Sequence, residues 1–174
     1  MTHSSSHEKA AYHHGNLRQA LLSHAFDVIA EHGTSKLTLR ELARRAGVSH
    51  TAPYRHFANK TELLGSVAAE AFRHFRSFLE QHMAQHTDAL ERLEALCLGY
   101  VEFAVQHPDR FSLMFDPELP NKSIHEELQK TSMDSFQLLI NAVETCQNDG
   151  ILRDAHPEDF ALTAWSMSHG LAVL

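Results

Sequence analysis

The sequence contains few of the residues that characterise extracellular, fibrous or disordered chains. Its 174 residues include only two cysteines, seven glycines and five prolines. Cys97 and Cys146 cannot build a disulfide framework, which fits a reducing compartment, and the low glycine and proline counts exclude a collagen-like or mucin-like chain. Because 43% of the residues are hydrophobic, intrinsic disorder is also excluded. The composition predicts a folded globular protein.

Long hydrophobic runs are absent too. No apolar run approaches the roughly 18 residues that a membrane-spanning helix needs. The first nine residues are rich in serine and histidine, and they lack the apolar core of a secretory signal. We therefore expect a cytoplasmic protein with no membrane partner.

Charge is unevenly distributed along the chain, whose net charge is -7. Residues 1–60 carry eight Lys and Arg against four Asp and Glu, whereas residues 61–174 carry seven against eighteen. A basic end on an acidic body suggests that the first part meets a polyanion. Random variation of solvated surface charge would produce the same asymmetry, so charge alone leaves both interpretations open.

Residues that typically begin and end α-helices recur along the sequence. A capping residue followed three positions later by Glu or Gln marks a helix start, and such residues stand at Asn16, Thr38, Asn59, Asp88 and Ser123. Ser49 can cap a short helix that runs to Phe57, and Pro108 and Pro157 begin two more. Gly33, Gly47 and Gly150 are placed to end helices. No segment alternates with period two, so we predict an all-α fold.

Two helices predict how the second part of the chain is assembled. The helix after Asp88 is apolar over most of its circumference, which is typical of the central helix of a bundle. The helix after Pro157 is apolar nearly all round, so we expect one side of it to pack on a twin helix in a homodimer. This last helix has no capping signal at Leu174, and we expect the natural chain to continue.

Residues 38–49 have the pattern of a helix-turn-helix. Ala43 is small where a second helix must cross, Gly47 supplies the turn, and Val48 fills the angle between the helices. Ser49 then begins a helix whose first turn carries His50 and Thr51, which can reach base edges. Phosphate-binding groups surround it at Thr38, Tyr54, His56 and Lys60. The alternative is an ordinary helical corner with solvated arginines.

Several motifs resemble those of the TetR family of bacterial transcriptional regulators. They are His13-His14-Gly15-Asn16-Leu17-Arg18, residues 37–49, Tyr54-Arg55-His56-Phe57 and Asn59-Lys60. The pattern Trp165-x-x-x-His169-Gly170 is similar to the motif that names one subgroup, "WHG". The resemblance implies a homodimer that binds double-stranded palindromic operator DNA, most often as a repressor, and releases it when a small-molecule effector binds.

The resemblance also assigns roles to residues by position. Arg40, Ser49, His50 and Thr51 match positions at or beside the bases, and Thr38, Tyr54, His56 and Lys60 match phosphate contacts. Pro53 departs from the family pattern, and a proline there delays or distorts the recognition helix. The resulting domains are a flexible arm over 1–14, a helix-turn-helix DNA-binding domain over 15–60 and a helical regulatory domain over 61–174.

Aromatic and apolar residues of the regulatory part are candidates for an effector site that takes a mainly apolar ligand. The candidates are Phe75, Tyr100, Phe103, Phe111, Met114, Phe136, Trp165 and His169. Such residues also form ordinary protein cores, so core packing is the alternative for each of them.

Other features indicate neither a metal nor a catalytic site. His82 and His86 have the i, i+4 spacing of a zinc pair but lack the remaining ligands, and we interpret them as surface residues. We interpret Cys97 and Cys146 as buried, unreactive thiols. The sequence has no nucleotide-binding or hydrolase motif, so we predict no cofactor and no enzymatic activity. A small helical enzyme or ligand carrier remains the rival hypothesis.

Overall fold

The computed structural model describes residues 5–121 and 125–174, and side chains from residue 17 onward within that first range. The described residues are helical and contain no strand, which confirms the all-α prediction. Their helices are α1 Ser5–His32, α2 Leu39–Arg45, α3 Lys60–Met83, α4 Ala89–Gln106, α5 Pro108–Met114, α6 Glu126–Asn148 and α7 Pro157–Ala172. Two short 3₁₀ turns, Thr34–Lys36 and Pro53–Arg55, flank α2.

Most helices begin where the capping residues predict. Thr38 Oγ1 accepts a hydrogen bond from Glu41 N at 3.1 Å before α2, and Asn59 Oδ1 accepts one from Glu62 N at 2.9 Å before α3. Asp88 Oδ1 accepts from two backbone amides at the start of α4. These bonds satisfy amides that have no partner within the helix. Pro108 and Pro157 occupy the first positions of α5 and α7, also as predicted.

Two predicted helix starts differ from the structure. Helix α1 begins at Ser5 rather than after Asn16, so residues 5–14, expected as a flexible arm, form its first turns. The reason is local propensity, because this segment has no proline and includes the good helix formers Glu8, Lys9, Ala10 and Ala11. Ser123 and residues 1–4 lie outside the described residues. Helix α6 is capped by His125, whose Nδ1 accepts from Leu128 N at 3.2 Å.

The chain divides into two compact units. The first comprises residues up to Val67 together with Glu118–Pro120, and the second comprises Ala68–Pro117 and Asn121–Leu174. The first unit therefore extends a few residues beyond the boundary expected at residue 60. Its core contains Leu21, Leu37, Leu42, Phe57 and Leu63, each at most 1% exposed.

Helix α4 is central to the second unit, where it packs against α5, α6 and α7. Leu96, Tyr100 and Phe103 point into the core. The sequence predicts a central helix that is apolar over most of its circumference, and two of its apolar residues, Leu98 and Val105, are nevertheless 63% and 75% exposed. They lie on the solvent face of α4 beside the exposed Glu91, Glu94 and Glu102. None of the described helices is long and apolar enough to cross a membrane.

Candidate functional site

Two backbone hydrogen bonds close the turn of the helix-turn-helix, directly after α2. Gly47 has a φ of 65°, Gly47 N donates to Arg44 O at 3.3 Å, and Val48 N donates to Ala43 O at 3.0 Å. These two bonds form a Schellman motif, which requires a left-handed residue where glycine stands. Ala43 is fully buried, as expected for a residue at a close helix crossing. The chain thus leaves α2 in a fixed direction.

The segment after the turn is not the short α-helix that the sequence predicts over residues 49–57. Ala52 N donates to Ser49 O at 3.0 Å and Arg55 N donates to Ala52 O at 3.2 Å, which are 3₁₀-type bonds. Pro53 causes this departure because it has no backbone N–H to donate. The predicted Ser49 cap is also wrong, since Ala52 precedes the 3₁₀ turn Pro53–Arg55 and no side-chain hydrogen bond caps it. Ser49 Oγ instead lies 3.2 Å from Thr51 Oγ1.

All eight predicted DNA-contacting residues lie in the first unit. Six of them are exposed, namely Thr38, Arg40, Ser49, His50, Thr51 and Tyr54. His56 and Lys60 are half-buried. The His56 ring lies 6.4 Å from the Phe57 ring, and Lys60 Nζ lies 3.6 Å from a carboxylate oxygen of Glu118. The predicted base-reading and phosphate-binding groups therefore share one unit and differ in accessibility.

Arg44 and Arg45 of α2 form ion pairs inside the first unit. Arg45 is hydrogen-bonded to Glu31 at 2.5 and 3.0 Å and to Glu41 at 3.0 Å, and so joins α1 to α2. Arg44 Nε donates to Glu41 at 2.9 Å. Hydrogen bonds from Arg44 and Arg45 lower the pKa of Glu41 to about 2. These arginines therefore support the helix-turn-helix, and their charges are balanced by carboxylates.

Arg55 is a candidate that sequence reasoning missed. It is exposed, it ends the 3₁₀ turn Pro53–Arg55, and it follows Tyr54 directly. The tyrosine is 57% exposed, so one turn carries two side chains of types that can bind phosphate. Its place between Tyr54 and His56 in the motif was the available signal.

The second unit contains a cavity of about 360 Å³. Its wall is mainly apolar and consists of Phe72, Phe75, Leu79, Leu96, Tyr100, Met114, Phe115, Ser132, Met133, Ser135, Phe136, Gln137, Leu139, Ile140 and Trp165. Five of the eight ligand-site candidates belong to it: Phe75, Tyr100, Met114, Phe136 and Trp165. The volume lies within the range of small-molecule sites.

The other three candidates are not among the residues that line the cavity, and their part in ligand binding stays a prediction. Phe103 is fully buried and packs edge-to-face on Phe75, with ring centroids 5.1 Å apart. Phe111 packs on Tyr100 at 5.7 Å. His169 stacks on Trp165 with ring centroids 5.1 Å apart, and its Nδ1 lies 2.8 Å from the Tyr100 hydroxyl. These residues support the wall from behind.

Polar groups of the cavity wall bond within the protein. Ser135 Oγ donates to Thr131 O at 2.9 Å, and Ser132 Oγ donates to Gln129 O at 3.0 Å. The Tyr100 hydroxyl is paired with His169. Burial raises the pKa of Tyr100, a shift that a hydrogen bond with Trp165 opposes, and the phenol stays protonated at neutral pH. None of the described residues that form the wall is charged, so its chemistry favours a neutral, apolar occupant.

The histidine pair and the cysteines have ordinary structural roles. His82 Nε2 lies 3.0 Å from Glu102, whereas His86 Nδ1 lies 3.3 Å from Glu91, so the two imidazoles face different partners. Within the part of the chain that the structure describes, no three His, Cys, Asp or Glu residues are grouped to hold a metal. Burial raises the pKa of the Cys97 and Cys146 thiols, although Cys97 is only half-buried.

Two family models match the chain in succession. Residues 21–67 match the model described as "Bacterial regulatory proteins, tetR family". Residues 93–174 match the model described as "Tetracyclin repressor-like, C-terminal domain". The first match contains the helix-turn-helix, and the second contains α5, α6, α7 and most of α4.

Individual relatives agree with these matches. The chain is 27% identical over 141 residues to the probable acrEF/envCD operon repressor of Escherichia coli strain K12, across 76% of this chain and 63% of that protein. It is 33% identical to a solved protein of unknown function from Rhodococcus sp. RHA1, with a TM-score of 0.83, across 94% of this chain and 84% of that chain. The regulator FadR from Bacillus subtilis, solved with stearoyl-CoA, shares the fold at 16% identity and a TM-score of 0.74, across 90% and 86% of the two chains.

Proposed function

We propose that this chain, which belongs to the tetR family of bacterial regulatory proteins, is a one-component transcriptional repressor. It binds palindromic operator DNA in the cytoplasm as a homodimer, and it leaves the operator when a small, mainly apolar ligand enters the α-helical second unit. The chain spans 63% of the length of the curated repressor that it matches.

The observation that carries the proposal is the exposed helix-turn-helix of the first unit. The Schellman motif at Gly47 fixes the direction of the chain, and the segment that follows presents His50, Thr51 and Tyr54 to solvent. Arg40 is exposed on α2 beside this segment. Side chains of these types contact base edges and phosphates when a short helical segment enters a major groove.

The exposed apolar face of α7 supports a homodimer. Met167 and Leu171 lie one turn apart on one side of α7 and are 73% and 61% exposed, and Leu162, on another side, is 53% exposed. Apolar residues repeated on one helix face are typical of a surface that packs on a partner. The half-sites of a palindromic operator lie about 34–36 Å apart, and a homodimer offers one copy of residues 49–56 to each of them.

The cavity of the second unit supports the effector site. Its wall is apolar, and the polar groups described above are hydrogen-bonded inside the protein. We assign the subgroup named for Trp-x-x-x-His-Gly because Trp165 lines the cavity and His169 holds Tyr100 in its wall. A ligand releases DNA only by its different affinity for the two conformations of the dimer.

One experiment tests the core of this function. Duplexes that bind the purified protein are selected from random DNA and sequenced. Their affinities for the protein are then measured at several salt concentrations. We expect a palindromic consensus and an affinity that falls steeply with salt, because phosphate contacts release counterions. Recovery of no consensus, together with weak binding in dilute salt, would overturn the proposal.

The rival hypothesis is a small helical enzyme or ligand carrier. The cavity alone fits such a carrier, whereas the exposed helix-turn-helix has no role in it. A carrier would bind an apolar ligand with the same affinity whether or not DNA is present. A regulator must show reciprocal coupling, so operator DNA has to weaken ligand binding by the factor by which ligand weakens DNA binding.

A further inference from the structure

Glu118 lies among residues of the first unit, although the chain reaches it only after passing through α3, α4 and α5. The segment Glu118–Pro120 clusters with residues up to Val67, whereas its neighbours Pro117 and Asn121 belong to the second unit. Within the first unit, Glu118 Oε2 lies 3.6 Å from Lys60 Nζ. A carboxylate from a distant part of the sequence therefore meets a side chain of the DNA-binding unit.

Lys60 is one of the predicted phosphate contacts. It is the first residue of α3, where amides without a helical partner and the helix dipole both favour an anion. The Glu118 carboxylate is such an anion, and its oxygen already lies at ion-pair distance from the ammonium group. A second anion brought to the same position would be repelled by Glu118.

We propose that Glu118 competes with DNA phosphate for Lys60, so that the free protein holds this contact in an inhibited state. The inference rests on the proposed DNA-binding function, which it deepens by naming a regulatory contact. DNA binding then includes the exchange of one oxyanion, the Glu118 carboxylate, for another, the phosphate. The pair is accessible to solvent, at 40% exposure for Lys60 and 53% for Glu118, so the exchange needs no unfolding.

The chain connects this contact to the cavity. Phe115 lines the cavity wall and precedes Glu118 by three residues. Its ring packs against those of Phe72 and His169, with centroids 6.4 and 4.5 Å away. An occupant that displaces the Phe115 ring also displaces the chain that carries Glu118. Occupancy of the cavity thereby changes how strongly Glu118 holds Lys60.

The test is a double-mutant cycle on Glu118→Gln and Lys60→Ala, read as affinity for a selected operator duplex. Glu118→Gln should bind DNA about two- to fivefold more tightly, the range expected for an exposed ion pair. The gain should shrink as salt is raised and should vanish in the Lys60→Ala background. The matched control is Glu144→Gln, which removes one exposed negative charge from α6 and should give a smaller change that survives in that background.

The measurements distinguish failure of the Glu118 competition from failure of the proposed DNA-binding function. Binding of operator by both wild type and Glu118→Gln with equal affinity overturns the competition and leaves the regulator intact. Failure of both proteins to bind duplex DNA overturns the proposed function itself. Phe115→Ala tests the link to the cavity, because it should change DNA affinity in the wild type but not in Glu118→Gln. Equal changes in both backgrounds would refute that link.

Discussion

The hydroxyl of Tyr100 on α4 lies 2.8 Å from Nδ1 of His169 on α7. Burial raises the pKa of Tyr100 and keeps the phenol protonated, so the hydroxyl and the imidazole form this hydrogen bond without a phenolate. The bond closes the wall of the cavity on the side where Trp165 stacks on the imidazole. It joins the helix at the centre of the second unit to the helix proposed for dimerisation.

Tyr100→Phe should destabilise the protein by about 1 kcal/mol, since it removes the hydroxyl and leaves the partly buried His169 Nδ1 without this hydrogen-bond partner. The measurement is the free energy of unfolding in urea. Tyr54→Phe is the matched control, because Tyr54 is 57% exposed and its hydroxyl should contribute little to stability. An equal loss in both variants would contradict the assigned bond.

The cavity should distinguish neutral from charged ligands of the same shape. Trp165 is the only tryptophan of the sequence and lines the cavity, so its fluorescence reports occupancy. We expect naphthalene to change the emission and 2-naphthoate to bind at least about 100-fold more weakly, because a buried carboxylate without a partner costs several kcal/mol. Comparable affinities for the two probes, confirmed by calorimetry, would contradict a cavity without a cationic group.

Capping residues and apolar periodicity were sufficient to predict most of the fold. Thr38, Asn59 and Asp88 all bond as their sequence positions indicate, because a cap depends on residues only two or three positions away. The recognition segment was harder to predict. Pro53 signalled a distortion, but the 3₁₀ geometry that results depends on how the turn packs, since Pro53 itself is buried.

The candidate site was predictable where one element defines it. Residues 38–56 are contiguous, so the predicted DNA-contacting set within them shares one unit. The cavity draws its wall from α3, α4, α5, α6 and α7. Helical periodicity places Phe103 and Phe75 on inward faces, but only packing decides that Phe103 lies behind the wall. The pair of Lys60 and Glu118 is a long-range contact that no local pattern reveals.

Acid should weaken the helix-turn-helix through Glu41. Its folded pKa of about 2 lies below the ordinary value of 4.5, so the unfolded state takes up a proton first as the pH falls. The stabilisation is present above pH 4.5 and is lost between pH 4.5 and 2. Unfolding measured across this range should show a smaller pH dependence for Glu41→Gln than for wild type. Glu144→Gln, the control, should keep the wild-type dependence.

Charge on the exposed face of α7 should separate the proposed homodimer. We expect Met167→Asp combined with Leu171→Asp to give monomers in sedimentation experiments, because a carboxylate would be buried at the interface without a partner. Operator affinity should fall with it, since each monomer reaches only one half-site. Val105→Asp alters the solvent face of α4 and serves as the control that stays dimeric. Monomers from Val105→Asp alone would place the interface on α4 instead.

The residues proposed to read bases and those proposed to contact phosphates should respond differently to alanine. Arg40→Ala and His50→Ala should each relax the preference at particular base pairs by about 1–3 kcal/mol. Lys60→Ala and Arg55→Ala should weaken binding to all sequences alike and flatten the dependence on salt, because each removes one phosphate contact. Lys130→Ala removes an exposed cation from α6, where it pairs with Asp134, and should leave both measures unchanged. If all four variants lost affinity uniformly, with no change in the selected consensus, His50 and Arg40 would be phosphate contacts and the bases would be read by other side chains.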